Sequence, residues 1–344
     1  MNIRTIASIC GVSPATVSRA INHPEMVRPE VLDRINETMR EHGYRPAART
    51  RQRTAQQPSR TLAVFIYDLE NPFYTRMLRY LNRIAFDHNY TLIICETQGD
   101  GQRDVTYAKY IRDIHVSGIV LTDGILNPET ERIIESIPAV SIDRLVSSMV
   151  SDVPIITSNH RQGSYCAVDH LVSLGHKRIA FAGLCDVYSS MSRFTAYAER
   201  VLYHSLSVNA HYNSRCEKMS LQAGYDAFDQ FASLKEPPTA VVCVNDILAY
   251  GIIKRAGEAG VCVPEQLSIV GCDGVYADIF YPSLTTIKQD IELITKTAAN
   301  MLFEIIDGNK GNGAIIPVTL IEGSTTARCS ETRGWSGRTA SAQS

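Results

Sequence analysis

Apolar positions repeat every three to four residues through the first 45 residues, and after about residue 60 they gather instead into short runs separated by helical patterns. This change divides the chain. Near the start, Ile6, Ile9 and Val12 can pack against Val17 and Ile21, which lie four apart on one helical face. Gly11 supplies a turn, Ser13 a natural N-cap and Pro14 a first helical position where a missing N–H costs nothing. Val31, Leu32, Ile35 and Met39 mark a further helix from Pro29 to His42, with Gly43 as its stop. The expectation is an all-α helix-turn-helix head.

From Thr61 the pattern becomes alternating strand and helix. Apolar runs at 61–67, 90–95, 118–121 and 139–142 alternate with helices at 73–89, 103–115 and 128–136. A second series has strands at 155–157, 179–183, 240–244 and 268–272, with helices at 162–175, 193–206, 223–234 and 246–260. Thr285–Gln289 reads as a crossing strand, Glu292–Asp307 as a helix and Ile315–Ile321 as one final strand. Repeated βαβ units predict an α/β core of two doubly wound parallel-sheet lobes. The Ser-, Thr- and Gly-rich tail over 330–344 is expected to be disordered.

Charge sharpens this division. Residues 1–60 hold ten arginines against five acids, +5, whereas the whole chain is −2, so the remainder sums to −7. A basic head on an acidic body suits a phosphate backbone. Five of the arginines fall between Arg45 and Arg60 with no acid among them, which marks a linker that can order on DNA. No stretch approaches a membrane span, and Met1-Asn2-Ile3-Arg4 does not begin a secretory signal, so a cytoplasmic protein is expected. The nine cysteines are scattered without a CxxC pair, which argues against zinc or a disulfide framework; no metal and no cofactor are expected.

Ligands of open parallel sheets bind at the carboxyl ends of the strands. Asp143 and Arg144, Asn245 and Asp246, and Asp273 follow such strands, and Phe73 and Tyr74 open the first core helix. Carboxylates, an arginine, an amide and aromatic faces suit a polyhydroxylated ligand. Asp246 alone reads more readily as a helix cap. An α/β enzyme is the rival reading, but GxGxxG, P-loop, GxSxG and HExxH are all missing. A solute-binding protein would share the core and lack the basic head.

The chain closely resembles the lactose-repressor (LacI/GalR) family of transcriptional regulators, as far as about Arg328. The resemblance is carried by Thr5-Ile6-Ala7, Gly11-Val12-Ser13, Ala15-Thr16-Val17-Ser18-Arg19, Gly43-Tyr44-Arg45-Pro46, Asn71-Pro72-Phe73-Tyr74, Gly118-Ile119-Val120-Leu121, Leu174-Gly175-His176-Lys177-Arg178-Ile179-Ala180, Pro238-Thr239-Ala240, Asn245-Asp246 and Leu284-Thr285-Thr286-Ile287. It implies a repressor, not an enzyme, that binds a near-palindromic operator as a homodimer. The periplasmic-binding-protein-like core would close on a small effector, a sugar or related polyhydroxylated metabolite. Its implied domains are a head over 1–45, a hinge over 46–60, one lobe over 61–158 and 288–318, and the other over 159–287 and 319–329.

By the same resemblance, Thr5, Ser13, Pro14, Ala15, Thr16, Ser18, Arg19, Asn22, Tyr44, Arg49, Arg51 and Arg53 contact DNA. Phe73, Tyr74, Asp143, Arg144, Arg193, Met219, Asn245, Asp273 and Gln289 line the effector site, with Arg193 opening its helix. Pro14 and Ala15 occupy the two most selective positions, and neither side chain donates a hydrogen bond, so readout there is by apolar contact such as with a thymine methyl. The hinge departs from the family. Thr50-Arg51-Gln52-Arg53 stands where relatives carry Ala-Arg-Ser-Leu, so an arginine replaces an apolar minor-groove wedge. A smaller DNA bend and a steeper salt dependence are expected. Met219 in place of a stacking aromatic and Ser158 in place of an aspartate point away from a familiar hexose, and a protein or phosphorylated corepressor stays open beside a sugar.

Overall fold

A computed structural model describes residues 3–22, 24–42, 44, 59–122, 127–143, 153–279, 281–330 and 335. The chain divides into Met1–Pro58 and Ser59–Ser344. In the first unit, helices α1 (Ile3–Ile9), α2 (Pro14–Asn22) and α3 (Pro29–Glu41) enclose a core of Ile6, Ala7, Cys10, Val17, Ala20 and Ile35. Gly11 turns the chain between α1 and α2 at a φ of 60°, a conformation that glycine adopts without strain. Ser13 Oγ then accepts from Thr16 N at 3.1 Å, satisfying one of the first amides of α2. Ile9 departs from the expected packing, being 52% exposed. Cys10 takes the inner place instead, because it lies four residues after Ile6 and its Sγ meets Thr38 Oγ1 at 3.2 Å.

The second unit alternates strand and helix as expected, with β1 (Thr61–Ile66), α4 (Pro72–Asp87), β2 (Thr91–Glu96), α5 (Gly101–Asp113), β3 (Gly118–Leu121), α6 (Pro128–Ile134), β4 (Ala139–Ile142) and β5 (Ile155–Ser158) in the first series. Then come α7 (His160–Ser173), β6 (Ile179–Leu184), α8 (Tyr188–Tyr203), β7 (Asn213–Arg215), α9 (Leu221–Ala232), β8 (Ala240–Cys243), α10 (Asp246–Glu258), β9 (Ser268–Asp273) and β10 (Thr285–Gln289). Helix α11 (Ile291–Ile306), β11 (Ala314–Ile316) and β12 (Val318–Ile321) complete it. The strands form two six-stranded sheets, ordered β11-β5-β4-β3-β1-β2 and β12-β10-β9-β8-β6-β7. Among the described residues, all pairings are parallel except that of β10 with β12.

The chain crosses between the lobes after β5, after β10 and between β11 and β12. Residues 315–321, expected as one strand, are therefore two strands in different sheets. Pro317 divides them, since it has no N–H to offer a ladder. Lys288 and Gln289 end a strand of the second lobe and Val318 opens another, so the second and third crossings fall at Asp290 and Pro317, within the range expected for the first lobe. Strand β7 was not anticipated, for it is short, polar and at a sheet edge. The tail is also anchored at one point. The buried indole of Trp335 stacks on Phe228, with ring centroids 5.1 Å apart, and its Nε1 donates to Pro238 O at 3.0 Å.

Candidate functional site: the interlobe cleft

The carboxyl ends of β1, β3 and β4 in one lobe and of β8, β9 and β10 in the other turn towards a cleft of about 360 Å³. It is lined by Asn71, Phe73, Tyr74, Thr122, Ile142, Asp143, Ser189, Arg193, Met219, Asn245, Asp273 and Gln289. Eight of the nine expected effector residues thus meet in one place. The ninth, Arg144, lies outside the described residues, as do Arg49, Arg51, Arg53 and the side chain of Asn22.

Local chemistry explains each placement. Asn71 caps α4 by accepting from Phe73 N at 3.0 Å, with Pro72 at the first helical position, so Phe73 and Tyr74 begin the helix at the cleft. Their rings meet edge to face at 5.5 Å and 85°. Asn245 Oδ1 caps α10 by accepting from Leu248 N at 3.0 Å, which leaves Nδ2 buried in the cleft wall without a hydrogen-bond partner. Such a donor is costly unless a ligand supplies an acceptor. Asp246 is a structural tie behind the wall, accepting from Thr286 Oγ1 at 2.6 Å and Val275 N at 2.9 Å.

Arg193 does not open its helix, as the sequence suggested, but lies in the second turn of α8. Its Nη1 donates to Val244 O at 2.6 Å and its Nε to His160 Nδ1 at 3.3 Å. Because guanidinium N–H groups only donate, Nδ1 of His160 accepts, and Nε2–H is left to donate to Asp143 Oδ1 at 2.9 Å. Asp143 also accepts from Thr157 Oγ1 at 2.7 Å and Ser158 N at 3.1 Å. Burial alone would push the Asp143 carboxyl up. The His160 ring, the Arg193 charge and the Thr157 hydroxyl outweigh it and hold the group down at about 2. Asp273 goes the other way, raised well above the usual carboxylate range by burial, with Arg193 opposing and Asp246 reinforcing the rise.

Two chains of bonds cross the cleft floor. One runs from Asp143 through His160 to Arg193, and the other from Ser158 Oγ to Gln289 Oε1 and from Gln289 Nε2 to Asp273 Oδ1 at 2.7 Å. At the mouth, Lys218 Nζ reaches Asp68 at 3.1 Å and Glu70 at 3.3 Å, while Tyr67 Oη donates to Glu217 O at 3.3 Å. Arg76 stacks over Tyr276, 5.5 Å from its ring centre. Sequence reasoning missed His160, Thr122 and Ser189. Thr122 obeys the same strand-end rule that found Asp143, and Ser189 was hidden by a helix start placed five residues late.

In the head, Thr5, Ser13, Pro14, Ala15 and Arg19 are exposed, and Thr16, Ser18 and Tyr44 are half-buried. Tyr44 packs against the helical core, and its N–H donates to Met39 O at 2.8 Å. Among the described residues no group of three or more metal-ligating side chains gathers, and no helix is long and apolar enough to cross a membrane.

Comparison with known proteins accounts for both units. Residues 2–47 match the family described as bacterial regulatory proteins, lacI family, and residues 168–326 match the periplasmic binding protein-like domain. The HTH-type transcriptional repressor PurR of Vibrio atlanticus is 30% identical over 315 residues, covering 88% of this chain and 91% of its own. The HTH-type transcriptional repressor CytR of Escherichia coli K12 is 29% identical over 334 residues, covering 94% and 96%. Among solved structures, the lac repressor dimer bound to operator and the anti-inducer ONPF is similar with a TM-score of 0.70 at 25% identity, covering 95% of this chain and 99% of its own. These relatives are transcriptional regulators. With a matching head, a matching core and a relative similar over nine-tenths of both lengths, the chain belongs to the LacI family of DNA-binding transcriptional regulators.

Proposed function

We propose that the protein is a repressor that binds a near-palindromic operator as a homodimer and is controlled by a small, uncharged, polyhydroxylated effector held between the lobes. The observation that carries this reading is the convergence of Phe73, Tyr74, Asp143, Arg193, Met219, Asn245, Asp273 and Gln289 on one cleft. Aromatic faces and a thioether suit C–H surfaces, and carboxylate and amide groups suit hydroxyls. Arg193 is the one cation among the described lining residues and faces Asp143, Asp246 and Asp273. Its charge is already balanced, which favours a sugar or nucleoside over a phosphorylated metabolite.

Effector binding would act by population shift. The lobes are joined by three crossings and by bonds over the floor and mouth of the cleft, so a ligand that touches both lobes favours one relative orientation. Operator contact falls to the exposed side chains of Thr5, Ser13, Pro14, Ala15 and Arg19, with Thr16, Ser18, Asn22, Tyr44 and the arginine-rich hinge. Exposed Phe86 at the end of α4, and Ile279 and Tyr281 ahead of β10, supply apolar surface for a second copy. A protein of this activity works in the cytoplasm. Calorimetric titration with pentoses, hexoses, nucleosides and sugar phosphates tests the site. At least one neutral ligand should bind, and Arg193→Ala should weaken it on the order of 100-fold, the loss of a charge-assisted bond of about 3 kcal/mol. Tight binding of sugar phosphates alone, or unchanged binding by the variant, would overturn the assignment.

A further inference from the structure

Beyond the cleft floor, two cysteines stand side by side at its lip. Strands β6 and β7 are parallel neighbours with Leu184 opposite Arg215, and Cys216 N donates to Leu184 O at 3.0 Å just past the last pair. Continuing that register places Cys185 next to Cys216, and in-register neighbours project from the same face of a sheet. Both border one open pocket of about 940 Å³, shared with Tyr67 and Gly99 of the first lobe and Asp186, Val187, Arg215 and Glu217 of the second. The next residues carry the cleft mouth: Glu217 O accepts from Tyr67, Lys218 pairs with Asp68 and Glu70, and Met219 lines the cleft.

We propose that Cys185 and Cys216 are a dithiol site that closes reversibly to a disulfide, with a low-molecular-weight disulfide of the glutathione class as oxidant, and so resets the loop bearing Lys218 and Met219. The Cys185 thiolate attacks one sulfur of the oxidant, forming a mixed disulfide and expelling one thiolate. Cys216 then gives up its proton and attacks Cys185 Sγ, forming the intrachain bond and expelling the second thiolate. The two cysteines lose two electrons and the oxidant leaves as two thiols. The Cys185 side chain hydrogen-bonds Cys216 and, with burial, raises its proton affinity, so the two thiols are in contact and the second step must release the proton they hold between them. Neighbouring strands run about 4.8 Å apart, whereas bridged Cβ atoms lie about 3.8 Å apart. Closure therefore draws Cys216 towards β6 and pulls Glu217 and Lys218 off their partners in the first lobe.

This proposal goes beyond the effector reading, and its readouts need no effector. In full-length Cys262→Ser protein, which removes the exposed cysteine and leaves eight of the nine, treatment with glutathione disulfide should lower the thiol count of the denatured chain from eight to six. Peptide mapping should join Cys185 to Cys216, with reversal by dithiothreitol. Amide hydrogen exchange at residues 217–219 should quicken several-fold in the oxidised form. A further Cys216→Ser change, at a half-exposed position, should stop the reaction at a mixed disulfide on Cys185. Thiols unchanged in number, bonding between other cysteines, or a Cys185–Cys216 bond that leaves exchange at 217–219 unaltered would each overturn the proposal.

Discussion

Asp143 concentrates, in one side chain, the tension between stability and function at this site. It holds a left-handed φ of 52° at the end of β4, and Asp273, facing the same cleft, holds 133°. Each such conformation costs a non-glycine residue about 1–3 kcal/mol, and the hydrogen bonds around the two carboxylates offset it. Because Asp143 is held at about 2, below its unfolded value, its stabilisation is complete above about pH 4 and is lost as the pH falls towards 2. The shift from 3.8 corresponds to about 2 kcal/mol. Denaturant titration should therefore show the gap between wild type and Asp143→Asn shrinking by about that amount between pH 5 and pH 2. A constant gap would show that the His160 N–H and the Arg193 charge do not hold the Asp143 carboxylate. Asp246 and Asp273, raised by burial, contribute in the opposite sense: their share is present at low pH and declines as the pH rises through their folded values. Strand-end logic made Asp143, Asn245 and Asp273 legible from sequence. His160 was not, because nothing in an isolated His after Asn159 says that the other lobe will place a carboxylate, and the neighbouring helix α8 a guanidinium, at its two nitrogens.

Periodicity carried most of the elements, and the departures have local causes. Helix α8 begins without a side-chain cap at Val187, so no Ser, Thr, Asp or Asn marked its start. Pro317 broke a run that hydrophobicity alone joined, and polar β7 offered no alternation to read. The crossing of α9 and α10 was equally invisible. There Gly224 and Gly251 let the backbones touch: a Cβ on Gly224 would lie 2.3 Å from Leu248 O, and one on Gly251 2.2 Å from Leu221 O. Neither neighbour is a flexible side-chain end, so one helix must move. Gly224→Ala should cost about 3 kcal/mol, at the upper end of overpacking penalties, read as a lower denaturation midpoint with an unchanged slope. A loss below about 0.5 kcal/mol, the range of an ordinary surface change, would show that the helices adjust freely.

Across the whole molecule, the protein bridges its own lobes before any ligand is considered. Lys218 is central to the mouth, since Asp68 and Glu70 outweigh the effect of its partial burial and raise its proton affinity. The Lys218–Glu70 pair is exposed, and such pairs are individually worth less than about 1 kcal/mol; Asp68 is buried but Lys218 stays 38% exposed, so this latch biases the lobes and does not lock them. Lys218→Ala should enlarge the radius of gyration in small-angle scattering, as added salt should for the wild type. Identical scattering would place lobe closure wholly in the floor contacts. The division into a basic head and an acidic α/β core was legible from charge and period, whereas the bridges were not, since they join residues far apart in sequence. The central claim is that ligand in this cleft controls DNA binding by the head. Its most direct test is operator affinity measured with and without the neutral ligand that calorimetry identifies, in wild type, Arg193→Ala and Asp273→Ala. Wild type should show a shift of about tenfold or more, a coupling of about 1.4 kcal/mol, that disappears in both variants although their ligand-free operator affinity is retained. Operator affinity that ignores the bound ligand, or a shift that persists undiminished in both variants, would contradict it.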